Sequence, residues 1–257
     1  LDAVRRGCRD FIIGIGGSAT NDGGIGMLSA LGFSFLSENG SDAGEGGQAL
    51  GKVCSVDISG QDPRLKDCRF RVACDVTNPL CGKNGATYIY GPQKGVTEDM
   101  KEPLDQAMSH YARVCASALG KDCSLAEGAG AAGGLGFAFL SFLNARLIPG
   151  TSLILEAVGL EEELKDADIV ITGEGRLDHQ TAMGKAPVGV ASLAKKYGAK
   201  VIAFAGSVTA GATACNDAGI DAFFPIVRGV TTLEEAMDPV NARANLAACA
   251  EQVFRLL

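Results

Sequence analysis

Apolar residues along the chain occur in two patterns, short continuous runs and longer stretches with helical spacing. Short runs rich in apolar residues and bounded by glycine or polar residues occupy Phe11–Gly16, Phe70–Val76, Ile169–Ile171, Lys200–Phe204 and Ala222–Ile226. Such runs are typical of strands that are buried on both faces of a parallel sheet. Two further short strands are predicted at Phe33–Leu36 and Thr87–Tyr90.

The second pattern predicts helices between the strands. The clearest helix covers Thr97–Leu119, with Thr97 as its N-cap, and Gly120 is predicted to end it. A last helix is predicted to begin at Pro239 with Asp238 as its cap. The segment Gly128–Leu143 predicts a glycine-faced helix packed on a sheet, and an alternative is that its first glycines face a ligand.

The alternation of strands and helices predicts an α/β protein. Right-handed crossovers would arrange the strands after residue 160 as one open parallel sheet. We therefore place a domain boundary near residue 160, between residues 1–160 and residues 161–257.

The segment that follows Ile171 carries the densest group of polar side chains. We expect Thr172–Gly175 to end the strand and turn the chain into a loop. Ligands of open α/β sheets bind where strands end. Two acids, a guanidinium and a hydroxyl would suit an anionic ligand with a metal ion, and these candidates are Glu174, Arg176, Asp178 and Thr181.

A glycine-rich loop, GGSATNDGG at residues 16–24, follows the first strand and precedes a helix that starts near Ile25. Such a loop can direct several backbone N–H groups at an anion, and a helix N-terminus adds partial positive charge. An ordinary strand-to-helix connection, with Asn21 or Asp22 as a cap, is the alternative. The spacing matches neither a dinucleotide-binding fingerprint nor a P-loop.

Two more strand ends carry candidate chemistry. Asp75 ends the predicted strand Phe70–Val76 beside an Asn-Pro turn, and the alternative is a simple Asx-type turn. Lys94 lies in the loop GPQKG at residues 91–95, where it could reach a phosphate or carboxylate, although most surface lysines bind nothing.

Composition narrows the class of partner. The 257 residues carry a formal net charge of −7 and no block of basic residues, which argues against nucleic acid and against an acidic membrane surface. Nine cysteines without a CxxC pair, and only two histidines, favour a reducing compartment over disulfides or zinc. No apolar segment resembles a signal peptide or a membrane span, so we expect a cytoplasmic protein with small-molecule chemistry.

Four stretches in order resemble the bacterial-type glycerate kinase family, and the similarity runs through the whole chain. They are GGSATNDGG at 16–24, DVTNPLCG at 75–82, GPQKG at 91–95 and TGEGRLDHQT at 172–181. The resemblance implies two α/β domains with the active site in the cleft between them. Residues 1–160 would be mostly an inserted domain, and residues 161–257 the later half of a Rossmann-like domain with an incomplete sheet.

One departure concerns the start of the chain. Members of the family begin with a strand and a loop of the DSFKGS type, and nothing here matches them. We therefore expect the chain to be a C-terminal fragment that is inactive alone. An incomplete sheet exposes an unpaired strand edge, so we also expect self-association into homo-oligomers.

The resemblance implies phosphorylation of D-glycerate by ATP with Mg²⁺. Phosphoryl transfer mainly needs alignment and charge neutralisation, so Asp178 and Arg176 are the catalytic candidates and Glu174 and Asp75 the metal candidates. Five residues are candidates for contact with substrate or phosphate: Gly17, Ser18, Asn21, Lys94 and Thr181. Two alternatives are a non-catalytic module that binds nucleotides or sugar acids, and a metal-assisted hydrolase or dehydratase of a hydroxy acid. Neither the catalytic base nor the choice between 2-phospho and 3-phospho product follows from the sequence.

Overall fold

The structure is a computed structural model that describes all residues, 1–257. It is built of α-helices, two parallel sheets and one short antiparallel pair of strands, which confirms the predicted α/β class. The chain forms two compact units, Leu1–Leu153 and Ile154–Leu257. The division lies within one helix, Gly150–Ala157.

The first unit contains five strands in two small sheets. The strands are β1 (Asp10–Gly14), β2 (Ser34–Leu36), β3 (Ser55–Asp57), β4 (Arg69–Ala73) and β5 (Arg146–Ile148). One sheet is parallel with the order β1-β4-β5, and β2 pairs with β3 in antiparallel orientation. Because the sheet is parallel, the chain leaves β1 and β4 at the same edge, at Gly14 and Ala73.

Helices of the first unit surround these sheets. They are α1 (Asp2–Arg5), α2 (Ile25–Ala30), α3 (Ala86–Tyr90), α4 (Glu98–Leu119) and α5 (Ala131–Phe142). Short 3₁₀ turns lie at Leu50–Lys52, Pro63–Asp67 and Pro92–Lys94. The core is aromatic, and the ring of the fully buried Tyr111 packs against those of Phe35 and Phe137 at centroid distances of 5.7 and 5.9 Å.

The start of α5 locks the glycine-rich loop by backbone contact. Ala132, Gly133 and Gly134 have positive φ angles of 53°, 70° and 98°. The N–H of Gly23 donates to the carbonyl of Gly133 (2.9 Å). A Cβ on Gly133 would lie 2.0 Å from the Thr20 carbonyl oxygen, so only glycine allows this approach.

Two predictions for the first unit have clear outcomes. The prediction of a strand at Thr87–Tyr90 is wrong, because this segment forms α3, whose backbone bonds are local: Gly91 donates to the carbonyl of Thr87 (3.1 Å). Short apolar runs fit both helix and strand, so periodicity could not separate them. The prediction for the extent of α4 and for Gly120, which ends the helix in the left-handed conformation, is confirmed. Thr97 lies at the N-cap position, but its side chain makes no capping bond, because its hydroxyl donates to Asp99 Oδ1 (2.6 Å).

The second unit has one parallel sheet. Its strands β6 (Ile169–Leu177), β7 (Lys200–Val208) and β8 (Ala222–Pro225) are in the order β6-β7-β8. Its helices are α6 (Gly150–Ala157), which begins in the first unit, α7 (Leu160–Glu163), α8 (His179–Ala182), α9 (Ala186–Lys195), α10 (Ala214–Asp217), α11 (Leu233–Met237) and α12 (Pro239–Phe254), with a 3₁₀ turn at Ala210–Thr213. As predicted, the Asp238 carboxylate caps α12, where it accepts from Val240 N–H and Asn241 N–H (both 3.0 Å).

Strand β6 is longer than predicted. The expectation that Thr172–Gly175 ends the strand is wrong, because the ladder with β7 continues to Leu177↔Val208. Glycine allows the two backbones to approach closely: a Cβ on Gly173 would lie 2.2 Å from the Phe204 carbonyl oxygen. Of the polar residues after Ile171, Glu174 and Arg176 therefore lie on the strand, whereas Asp178 and Thr181 belong to the N-cap and first turn of α8.

The last two properties of the fold concern its helices and its cysteines. None of the helices combines the length and the apolar character that a membrane crossing requires. All nine cysteines are free thiols, with Cys115, Cys123 and Cys215 buried.

Candidate functional site

The predicted site residues form one group in each unit. The first unit holds Gly17, Ser18, Asn21, Asp75 and Lys94, and the second holds Glu174, Arg176, Asp178 and Thr181. Each group lies where parallel strands end, β1 and β4 in the first unit and β6 in the second.

A pocket of about 530 Å³ lies at the carboxyl ends of β1 and β4, and we name it the glycine-loop pocket. It is lined by Gly14, Ile15, Gly16, Gly17, Ser18, Ala73, Cys74, Asp75, Val76, Tyr90, Gln93, Lys94, Ala131 and Ala132. The structure thus brings four of the predicted residues to one cavity, and its size is typical of a small-molecule site.

Lys94 is the cation of this pocket. Its Nζ donates to the Ser18 hydroxyl (2.8 Å) and to the Thr20 carbonyl (2.8 Å), which fixes the ammonium against the glycine-rich loop. Burial lowers the pKa of Lys94, and the nearby Asp22 carboxylate partly opposes that effect. A partly desolvated ammonium is suited to hold a carboxylate or phosphate.

The backbone of the loop adds donors to the same pocket. The N–H groups of Gly16, Gly17 and Ser18 make no hydrogen bond within the chain. Gly17 has a positive φ of 69°, and a Cβ there would meet no atom within 4 Å, so the glycine is required by backbone conformation and not by crowding. Free N–H groups beside a lysine are a common arrangement for binding anions.

Asn21 lies beside the pocket and does not line it. Its amide Nδ2 donates to the hydroxyl of the fully buried Thr87 (3.0 Å), while its Oδ1 is buried without a partner. The contact joins the glycine-rich loop to α3. A direct contact of Asn21 with substrate stays a prediction.

Asp75 and Tyr90 also line the glycine-loop pocket. Asp75 Oδ1 accepts the N–H of Gly150 (2.8 Å), so its second carboxylate oxygen stays available. The hydroxyl of Tyr90 donates to Asn78 Oδ1 (2.5 Å), and burial raises the pKa of Tyr90, so it is a neutral donor. Sequence reasoning assigned no role to Tyr90, because it treated this segment as a strand.

In the second unit, Asp178 caps the short helix α8. Its Oδ1 accepts the N–H groups of Gln180 (2.9 Å) and Thr181 (3.2 Å), and the Thr181 hydroxyl accepts the N–H of Asp178 (3.2 Å). This reciprocal arrangement is a capping box. It fixes the Asp178 carboxylate at the carboxyl end of β6.

Two cations flank the same carboxylate. Lys185 Nζ lies 3.7 Å from Asp178 Oδ1, and Arg176 Nε lies 4.0 Å from Oδ2. Partial burial acts to raise the pKa of Asp178, but the net shift is downwards. The pKa is lowered by the hydrogen bond from the Thr181 N–H and the charge of Lys185, and then by the Gln180 N–H and the charge of Arg176. Asp178 is therefore ionised at neutral pH. Sequence reasoning missed Lys185, although it follows in the same segment at Gly184-Lys185.

Glu174 and Thr181 are joined directly, because the buried hydroxyl of Thr181 donates to Glu174 Oε1. Thr181 thus positions Glu174 and the N-terminus of α8. No group of three or more His, Cys, Asp or Glu side chains is arranged to hold a metal ion. Glu174 and Asp75, one in each unit, each keep one carboxylate oxygen free of hydrogen bonds, so each is a candidate for holding a magnesium ion whose other ligands are phosphates and water.

The chain is similar in sequence to known glycerate kinases. A sequence model described as "Glycerate kinase family" matches residues 1–257. A glycerate kinase from Halalkalibacterium halodurans is 49% identical over 248 residues, which are 96% of this chain and 65% of that protein. A glycerate 2-kinase from Escherichia coli is 52% identical over 236 residues, 92% of this chain and 62% of that protein.

A solved structure extends the similarity to three dimensions. A crystal structure described as glycerate kinase 2 from Salmonella typhimurium LT2 is 46% identical, with a TM-score of 0.83, and the match covers 100% of this chain and 68% of that one. The chain spans 62–65% of the length of the two curated relatives above.

Proposed function

This chain belongs to the glycerate kinase family, and on that premise we propose that the protein it comes from transfers the γ-phosphate of ATP to a hydroxyl of D-glycerate. The observation that best supports this is the ionised carboxylate of Asp178, held between Arg176 and Lys185 at the end of a parallel strand. Phosphoryl transfer to an alcohol needs an acceptor for the hydroxyl proton and cations for the phosphate oxygens.

Asp178 accepts the proton of the glycerate hydroxyl. The capping box already fixes its carboxylate through Oδ1, so Oδ2 is the oxygen free to take that proton. Arg176 is largely exposed and its guanidinium can bind a carboxylate or phosphate in two-pronged fashion. Lys185 neutralises charge on the other side of Asp178.

The glycine-loop pocket of the first unit binds an anionic group of a substrate. Lys94 and the free N–H groups of Gly17 and Ser18 are its donors, and the Ser18 hydroxyl is held in place by Lys94. Both substrates carry suitable groups, the carboxylate of glycerate and the phosphates of ATP. Asn21 supports the loop through Thr87.

Magnesium belongs to this proposal as the ion that accompanies ATP. When bound, it neutralises the charge on the transferred phosphate. Asp75 in the first unit and Glu174 in the second are the two candidates for holding it, each through its free carboxylate oxygen, and Thr181 would keep Glu174 in place.

Three broader assignments are also part of the proposal. Residues 1–160 are mostly an inserted α/β domain, and residues 161–257 are the later half of a Rossmann-like domain. The protein acts in the cytoplasm, where its nine free thiols would stay reduced. Its partners are D-glycerate and ATP, and it can form homo-oligomers.

Phosphorus NMR tests the activity directly. The protein that carries this chain is incubated with ATP, MgCl₂ and D-glycerate, and the new monoester resonance is assigned to 2- or 3-phosphoglycerate. We expect ADP and phosphoglycerate to appear in equal amounts, and only when glycerate is present. Consumption of glycerate without ATP would support a hydrolase or dehydratase, and ligand binding without turnover would support a binding module. Either result would overturn the proposal.

A further inference from the structure

A second concave surface lies in the second unit, past the carboxyl end of β8, and we name it the C-terminal pocket. It has a volume of about 610 Å³ and is lined by residues 227–231, 235–236, 241 and 244–245. Ligands of open parallel sheets bind at the carboxyl ends of the strands. None of the roles assigned above uses this pocket.

Its position relates it to Asp178 through the sheet. Ala205 of β7 pairs with Glu174 on one side and with Pro225 on the other, so the end of β8 is level with Glu174. Strands β6 and β8 are two strand spacings apart, about 10 Å, and β6 continues three residues beyond Glu174 to Leu177, about 10 Å further along, so the two strand ends are about 14 Å apart. A ligand that reaches from one strand end to the other must therefore be elongated, as an extended nucleoside triphosphate is.

The polar groups of the C-terminal pocket suit a purine base. Asn241 Nδ2 donates to the Glu235 carbonyl (3.1 Å), which leaves its Oδ1 as a free acceptor. The N–H groups of Gly229 and Val230 have no acceptor within the chain. An acceptor together with N–H donors is what the amino group and ring nitrogens of adenine require.

The remaining lining residues favour a flat, mainly uncharged group over a phosphate chain. Val227, Val230, Ala236 and Ala244 supply apolar surface. Asn245 Oδ1 accepts from Arg228 Nε (3.1 Å), and a planar guanidinium held in this way can stack on a purine. The Glu235 carboxylate, which accepts from Thr231 and Thr232, would repel phosphate.

We propose that the C-terminal pocket binds the adenosine part of ATP, while the phosphates extend along the sheet edge towards Arg176 and Lys185. This inference rests on the proposed function and adds to it the site of the nucleotide. It places ATP in the second unit, whereas the sequence did not indicate which part of the chain binds the nucleotide.

Ala244 offers the sharpest test, because it is an exposed residue of α12 that lines the pocket. Ala244→Trp would fill the cavity, and Ala247→Trp, exposed on the same helix outside the lining, is the matched control. Affinities of the 257-residue chain for ATP, adenosine and tripolyphosphate are measured by calorimetry, and circular dichroism checks that both variants fold. We expect Ala244→Trp to weaken ATP and adenosine more than about tenfold and to spare tripolyphosphate.

Asn241→Leu gives a second variant, with the same expected pattern and without added bulk. Adenosine that does not bind the chain, or ATP binding to Ala244→Trp that equals that of Ala247→Trp, would overturn the inference. Glycerate phosphorylation by the wild-type protein is assayed in parallel. If Ala244→Trp turns over with an unchanged KM for ATP, only the nucleotide site is overturned. If the wild type shows no glycerate-dependent turnover, the proposed function itself is overturned.

Discussion

At the scale of single residues, Asp178 combines two roles that one substitution can separate. Its carboxylate caps α8 through two backbone N–H groups, and it is also the proposed proton acceptor. The substitution Asp178→Asn would keep the cap, because asparagine is as good an N-cap as aspartate, but an amide cannot take up the proton. We expect this variant to lower kcat about a hundredfold or more while Tm stays nearly unchanged.

A neighbouring residue provides the control for that experiment. His179 follows directly, is exposed, and is not needed for phosphoryl transfer to an alcohol, so His179→Ser should keep most of the activity. Steady-state kinetics and thermal unfolding are measured for both variants. Wild-type kcat in Asp178→Asn, or a loss in His179→Ser as large as that in Asp178→Asn, would remove Asp178 from its assigned role.

Lys94 predicts a dependence of substrate binding on pH. The ammonium binds an anion only while protonated, and burial lowers its pKa, so affinity should fall at a lower pH than for an ordinary surface lysine. We expect KM for the anionic substrate bound by the glycine-loop pocket to rise on the alkaline side of neutrality. In Lys94→Arg this rise should be absent, since arginine keeps its charge.

The control variant for this profile is Lys121→Arg, at a lysine that donates to the Leu140 carbonyl outside the pocket. Its KM should follow the wild-type profile at every pH. If Lys94→Arg and the wild type also have the same profile, the group that binds the anion is not Lys94.

At the scale of secondary-structure elements, two glycines of β6 provide a matched pair. A Cβ on Gly173 would lie 2.2 Å from the Phe204 carbonyl oxygen, whereas a Cβ on Gly175 would meet nothing within 4 Å. Gly173→Ala must push β6 away from β7, which should lower the free energy of unfolding by about 1–3 kcal/mol. Gly175→Ala should leave it nearly unchanged. Urea denaturation measures both, and equal stability of the two variants would contradict the close approach of the strands.

These glycines also explain what the sequence could and could not predict about elements. Caps such as Asp238 before Pro239, and Gly120 after α4, depend on neighbouring residues and were predicted correctly. The continuation of β6 through Gly173 depends on the partner strand β7, which local sequence does not reveal. The prediction at Thr87–Tyr90 failed for a different reason: the hydrogen bonds of α3 are local, but a run this short has no periodicity that separates helix from strand.

In the candidate site, too, contacts between neighbouring residues could be predicted and contacts between distant ones could not. Sequence motifs indicated Ser18 and Lys94 separately, but their hydrogen bond joins residues 76 positions apart. No pattern within either segment predicts that pairing. Thr181 and Asp178, in contrast, lie three positions apart, and helix-capping rules are sufficient to relate them.

At the scale of the whole molecule, exposed strand edges predict self-association. Strand β6 pairs with β7 on one side only, and Ile171 on it is 48% exposed. An open edge with apolar side chains is a template for pairing with another chain. We expect the sedimentation coefficient of the 257-residue chain to rise with concentration, and Ile171→Lys to reduce this rise.

Leu125→Lys is the control for self-association, because Leu125 is 85% exposed and lies outside any strand. Replacing this exposed leucine tests whether apolar surface outside a strand edge is sufficient for association. A constant sedimentation coefficient in the wild type, or equal effects of the two lysines, would show that the edge of β6 does not mediate contacts between chains.

The backbone lock between α5 and the glycine-rich loop has a consequence for amide hydrogen exchange. The Gly23 N–H is bonded to the Gly133 carbonyl, so it can exchange with solvent only when the loop and the start of α5 separate. An anion held by Lys94 at the other end of the loop disfavours that separation. The Gly23 amide should therefore exchange more slowly when the pocket is filled, which makes it a reporter of occupancy at an atom that no ligand touches.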